Sequence, residues 1–200
     1  LGFCKPAPAA GSAEDDIIWN TGDMSGTWTL SDSDHTATAP NDSNLRGIRA
    51  VTSRNSGKKY FEIEVIAIPN DGDWAAGFST TNSNLSTGIN DTGIYIVRGT
   101  GAIFMNASNP GSLSALVAGN KIMVAIDFAA GKAWMGREGT WFNSGDPAAG
   151  TNETGTFTAS TAMMPTMRTD NNAGSPAGKL ITLTADFEFT VPTGFDSWAT

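Results

Sequence analysis

Cysteine is almost missing from this chain. Cys4 is the only one in 200 residues, so an intrachain disulfide is excluded. Histidine is as scarce: His35 stands alone, and with Cys4 it offers too few N or S ligands for a zinc site. Positive charge is short. Lys+Arg number 12 against 20 Asp+Glu, a net charge of −8 with a pI near 4.5. Such a surface repels nucleic acid and anionic lipid, because phosphate binding relies on Lys and Arg displacing counterions. No apolar run approaches the ~20 residues that span a membrane. No amphipathic run reaches three helical turns; the best, Ser112 to Ala118, allows two at most. No internal repeat recurs at a fixed period.

What is present is strand and turn chemistry. The hydrophobic fraction is 40% and the charged fraction only 16%, a balance that a disordered chain inverts. Polarity comes from Thr, Ser, Asn and 23 Gly, which suits many short strands joined by turns. Residues 1–13 carry Pro6, Pro8, four Ala and two Gly without periodic apolar spacing. They are expected to form an arm or linker that orders only on docking. Leu1-Gly2-Phe3-Cys4 is similar to a lipoprotein cleavage box, but no charged segment or apolar stretch precedes it. The first residue is not Met, so the expectation is a chain that was processed, tagged or cut from something longer.

Residues 14–200 read as one domain. Ile17 to Trp19 opens a strand that Asn20 to Gly26 breaks, and Arg46 to Thr52 forms another. Over Lys59 to Ile68, Phe61, Ile63, Val65 and Ala67 share one face, opposite Tyr60, Glu62, Glu64 and Ile66. Trp74 to Ser79 follows a turn cluster at residues 69–73. Ile94 to Arg98 and Ala102 to Asn106 form a hairpin around Gly99-Thr100-Gly101. Lys121 to Phe128 is nearly all apolar, the mark of a central strand covered on both faces. Gly131 supplies a positive φ for the hairpin that follows. The clearest alternation comes last: Ile181, Leu183, Ala185, Phe187, Phe189 and Val191 against Thr182, Thr184, Asp186, Glu188 and Thr190, read as a strand with one face in water. Many short strands with turns between them predict an all-β, antiparallel two-sheet β-sandwich or barrel.

Four pieces in order resemble a known family. Gly57-Lys58-Lys59-Tyr60-Phe61-Glu62-Ile63-Glu64-Val65 resembles the strand that opens SPRY (B30.2-like) domains, and Trp74-Ala75-Ala76-Gly77-Phe78-Ser79 their next strand. Gly119 to Phe128, followed by Ala130-Gly131-Lys132, resembles their central strand and hairpin. Thr184 to Phe189 resembles their closing strand. The resemblance covers roughly Ile17 to Phe195. With Gly139-Thr140-Trp141-Phe142-Asn143-Ser144-Gly145-Asp146-Pro147 it is similar to SPRY-like modules of bacteriophage and prophage virion proteins. Arg137-Glu138-Gly139 departs from the plain Asn-Gly usual in that hairpin, and Asn120 replaces the usual Asp. The resemblance implies a concanavalin A-like jelly roll that binds protein or glycan without catalysis, through loops at one end. Fold alone does not license function.

From these readings the expected function is a non-enzymatic structural or recognition module of a virion, as a head decoration or spike or a tail host-contact protein. Its expected partners are other virion proteins, in symmetric copies or as a homo-oligomer, and a host-surface glycan or receptor. No cofactor, metal, nucleic acid or membrane span is expected, and the location is the particle surface. Phe3, Pro6 and Pro8 are candidate assembly anchors. Trp141 is the candidate glycan platform, flanked by Asn143 and Asp146: a ring packs on apolar sugar faces while amide and carboxylate take hydroxyls. Asp71 and Asp73 join the candidate ligand-binding set. With Asn70 they offer oxygens to Ca²⁺, as do Asn90-Asp91, Asp146 and Asp170-Asn171-Asn172, but none forms an EF-hand loop. A carbohydrate-binding lectin is the alternative. A jelly-roll glycan hydrolase is a third reading, since Glu62 and Glu64 share a strand face. The position for the general acid holds Ala67, so the pair is expected as a solvent-facing acidic pair. His35, in a run of Ser and Asp, is expected as a surface histidine in a turn.

Overall fold

The structure is a computed structural model that describes residues 14–42, 44–69, 74–87, 91–169 and 174–200. Phe3, Pro6, Pro8, Asp71 and Asp73 lie outside the described residues, as do Cys4, Asn70, Asn90 and Asp170-Asn171-Asn172. The strands, in chain order, are β1 (Trp19–Met24), β2 (Thr29–Ser31), β3 (Thr36–Thr38), β4 (Arg46–Ala50), β5 (Lys58–Ala67), β6 (Trp74–Thr80), β7 (Ile94–Arg98) and β8 (Ala102–Met105). They continue with β9 (Ser108–Ser112), β10 (Lys121–Asp127), β11 (Lys132–Arg137), β12 (Thr140–Trp141), β13 (Gly155–Thr156), β14 (Met163–Thr169), β15 (Ala177–Ile181) and β16 (Asp196–Ser197).

Two sheets result. One runs β1-β4-β14-β6-β7-β8-β9; the other runs β12-β11-β10-β5-β15-β3-β2, with β13 on β11 and β16 on β5. Every pairing along both paths is antiparallel, while β16 lies parallel to β5. The expected sandwich is what forms. Its core lies between the sheets and holds Phe61, Ile63 and Val65 of β5, Ile122, Val124 and Ile126 of β10, and Trp19, Trp28, Trp74, Phe78 and Trp198. These are the residues that period-two spacing places on one face. Phe61 meets Trp198 edge to face at 5.3 Å, and Phe78 stacks on Tyr95 at 4.8 Å.

β10 is central as expected: it bonds β11 on one side and β5 on the other, and Ile122 to Asp127 are buried. Gly131 closes its hairpin at φ +63°. A Cβ there would stand 2.3 Å from the Phe157 carbonyl oxygen, so no larger residue fits. Asn120 clamps the other end, where its side-chain oxygen accepts from the Arg137 guanidinium and from the Val117 amide.

Residues 113–117 carry no helix, in keeping with an apolar run too short for three turns; the Leu113 and Leu116 amides donate to Gly101 and Gly99 carbonyls and hold the segment extended beside the β7–β8 turn. Two expectations are corrected. β1 runs through Met24, across the expected break at Asn20 to Gly26, because Met24 pairs with Ile48 and the irregularity is absorbed as a register shift. The larger correction is at the end of the chain. The alternating run 182–191 is not a strand. β15 ends at Ile181, a 3-10 turn covers Thr184–Asp186, and residues 187–195 cross the outer face of the second sheet as a strap.

The alternation was real, but only its later apolar residues dock on the back of a sheet, whereas Leu183 packs against the main core and Ala185 is exposed. Phe187, Phe189 and Val191 pack against a second, smaller core of Tyr60, Met123, Ala125, Trp134 and Phe195. The start of the described residues then meets their end: the Asp15 amide donates to the Ala199 carbonyl at 3.0 Å.

Candidate functional site

The strap is fastened by one buried acid. Glu62 points outward from β5 and is fully buried. Its carboxyl group accepts from the Tyr60 hydroxyl at 2.7 Å and from the backbone amides of Glu188 at 3.1 Å and Phe189 at 3.0 Å. The side chain thus supplies the acceptors that a neighbouring strand would have offered. This overturns the expected solvent-facing pair. Glu62 became buried because the strap covers it, and Glu64, two residues on, remains half-buried beyond the strap's edge. Burial, then the Glu62 charge and its hydrogen bond, push the Tyr60 hydroxyl far above its ordinary range.

Two of the openings beside the strap hold candidate side chains or clustered charge. One is a cavity of about 470 Å³ between the loop after β12 and the strap, lined by Trp141, Ser144, Gly145, Asp146, Pro147 and residues 190–193. Two of the three candidates, Trp141 at the end of β12 and Asp146 in the loop, therefore meet there. Trp141 has two roles: half-buried, it meets Tyr60 edge to face at 6.4 Å and also walls the cavity. Asp146 is exposed, but one carboxylate oxygen accepts from the Ala149 amide, and its backbone exchanges two hydrogen bonds with Thr151. Its loop uses it as turn chemistry predicts. Asn143 is exposed at φ +53° and is not among the cavity's lining residues. The loop is stiff at its base, where the buried Trp134 indole donates to the Thr151 carbonyl at 2.8 Å.

The other opening is a groove of about 450 Å³ lined by charges of both signs. Its floor is a row across three strands: Lys121 of β10 opposite Glu64 of β5, and Glu64 opposite Lys179 of β15. Each ammonium leans outward to another acid. Lys121 pairs with Glu188 at 2.5 Å and Lys179 with Asp32 at 2.6 Å. Those hydrogen bonds lead the causes that raise both lysines above their ordinary pKa. Among the described residues no hydrogen bond reaches the Glu64 carboxyl group. His35 closes the rim. It is not the plain surface residue expected: its side chain is 18% exposed and pairs with Asp16 at 2.8 Å.

Sequence reasoning missed this groove. Its residues are far apart in the chain, and only the order β10-β5-β15 places Lys121, Glu64 and Lys179 in line. Among the described residues no three of His, Cys, Asp or Glu converge as metal ligands, and no helix is long and apolar enough to cross a membrane.

No protein-family model matches the chain, and no curated protein matches its sequence. Solved structures do match, 247 chains among them. The chain is similar to the SPRY domain of human HERC1, with a TM-score of 0.67 and 13% sequence identity over 83% of this chain and 98% of that one. The chain has the SPRY jelly-roll fold. At that identity the likeness carries the SPRY architecture alone.

Proposed function

We propose that this SPRY-fold chain is a non-catalytic recognition module that serves on a bacteriophage particle, as a head decoration or spike or as a tail component touching the host. The observation that carries the recognition reading is the strap itself. It lays an apolar cap over the middle of the outer sheet face beside two concave openings, one edged by Trp141 and one lined by charge. Concave sites with a few polar groups are where ligands bind. The placement on a particle rests on the likeness of Gly139 to Pro147 to virion SPRY-like modules and on the acidic, Thr- and Asn-rich composition.

The hydrolase reading is weakened by Glu62. A retaining or inverting glycosidase needs two carboxyl groups free to face the sugar, and Glu62 is committed to three donors under the strap. The lectin reading keeps one specific support, the Trp141 wall of the loop cavity. Binding of the purified chain to a glycan array and to intact bacterial cells tests both. Retention that is lost in Trp141→Ala supports glycan recognition. Slow release of reducing sugar from the same glycans would reverse the non-catalytic reading. Electron microscopy of assembled particles labelled through this chain tests the virion placement, and particles without the label would end it.

A further inference from the structure

His35 is the chain's only histidine, and both of its ring nitrogens face acceptors. Nδ1 stands 2.7 Å from the Asp32 carbonyl oxygen, and Nε2 stands 2.8 Å from the Asp16 carboxylate. A carbonyl only accepts, and so does an ionised carboxylate. A neutral imidazole has one N–H and satisfies one of the two; the imidazolium has two and satisfies both. The residues it joins come from different parts of the chain. Asp16 lies just before β1, and Asp32 opens the turn between β2 and β3. That turn carries three successive non-glycine residues at positive φ: Asp32, Ser33 and Asp34 at 53°, 51° and 67°. Such a turn persists only where its surroundings hold it. Two backbone bonds are built on it: the Trp19 amide donates to the Asp34 carbonyl and the Leu180 amide to the His35 carbonyl.

We propose that His35 is a pH-sensitive latch. As imidazolium it fastens the β2–β3 turn to the segment before β1 at the rim of the charged groove; on losing its proton it releases one of the two. Other charges face it from every side. Asp34 shares the turn, and Lys179 of β15 holds the Asp32 carboxylate. Across the groove stand Glu64 of β5, Lys121 of β10, Asp186 of the 3-10 turn and Glu188 of the strap. Burial works to discharge the ring, but the hydrogen bonds and charges of Asp16 and Asp32 outweigh it, so its pKa lies above the ordinary value. The direction of the effect follows. A folded-state pKa above the unfolded one, about 6.5, gives stability that is complete below that value and is lost as pH rises through the folded one. The latch is closed in acid and opens toward alkaline pH. Opening leaves one of the two acceptors, the Asp16 carboxylate or the Asp32 carbonyl, without its donor and removes one positive charge from the rim of the groove.

A single histidine makes the test direct. The Cε1 proton of His35 is titrated by NMR in the folded chain and in the same chain in urea. The folded midpoint is expected above the urea midpoint, and it should fall toward that value in Asp16→Asn. Hydrogen exchange of the Trp19 and Leu180 amides, corrected for the intrinsic effect of pH, is followed through the midpoint. Protection should drop there in the wild type and stay flat in His35→Gln. A folded midpoint at or below the urea value overturns the proposal. So does protection that is unchanged across the midpoint, which would leave the contact an ordinary surface ion pair. The wild-type measurements decide the matter even if a variant fails to fold.

Discussion

β5 serves two layers. Its inward residues, Phe61, Ile63 and Val65, enter a broad core of aromatic and aliphatic side chains between two sheets. Its outward residues, Tyr60, Glu62 and Glu64, meet a narrow layer in which a few rings lie under one strap. The inner layer is closed by sheet hydrogen bonds on both sides. The outer layer is closed by side-chain hydrogen bonds to the backbone of a segment with no strand partner along residues 187–195. The same strand thus separates a layer that sets global stability from one that can open locally, and both openings border the second. Sites drawn from the less stable part of a fold follow the general pattern.

Substitutions should separate the two layers. Phe61→Ala empties the inner core and is expected to cost about 3–5 kcal/mol, read as a lower midpoint in urea unfolding with all probes moving together. Glu62→Ala leaves the Tyr60 hydroxyl and two amides without their acceptor. Buried donors stripped of a partner cost about 1–3 kcal/mol each, but the strap can lift into water, so about 2–4 kcal/mol is expected in total. Its signature is local: exchange at the Glu188 and Phe189 amides should rise while β10 amides stay protected. If β10 loosens equally, the two layers are one unit and the comparison fails.

Phe187→Ala should cost less, about 1–2 kcal/mol, because the ring is only half-buried. It removes the edge-to-face contact with Tyr60 at 4.9 Å, which fluorescence and exchange should register on the outer face alone. The smallest effect on stability is expected from Trp141→Ala, about 1 kcal/mol, with loss of any glycan retention. A large loss of stability with binding intact would assign Trp141 wholly to the outer layer and remove it from the site.

The inner layer was legible in sequence and much of the outer one was not. Alternation in β5 and the unbroken apolar run of β10 state their burial directly, because a side chain's face follows from the period of two. The alternation from Ile181 to Val191 states only that one side is buried. It cannot say against what, and a strap docked on a sheet face gives the same pattern as a strand within it. Glu62 misled for the same reason: a glutamate beside a buried tyrosine looks exposed until a distant segment covers it. Trp141 was legible as a candidate aromatic but not as a strand residue, since it ends β12, and Asp146 was legible as a turn residue. Glu64 was legible only as half of an acidic pair; its row with Lys121 and Lys179 carried no signal, since that alignment depends on strand order across the sheet. The His35 contacts depend on where Asp16 lands after the whole sandwich has closed.

The hydrogen bond from Asp15 to Ala199 has a mechanical consequence. Where the described fold begins and where it closes are one hydrogen bond apart. Tension applied through both sides of that bond would part the domain's ends one contact at a time, beginning with Asp15–Ala199 and the short β16, rather than shear the sheets. A load carried through one side alone would bypass the sandwich and leave both openings undistorted.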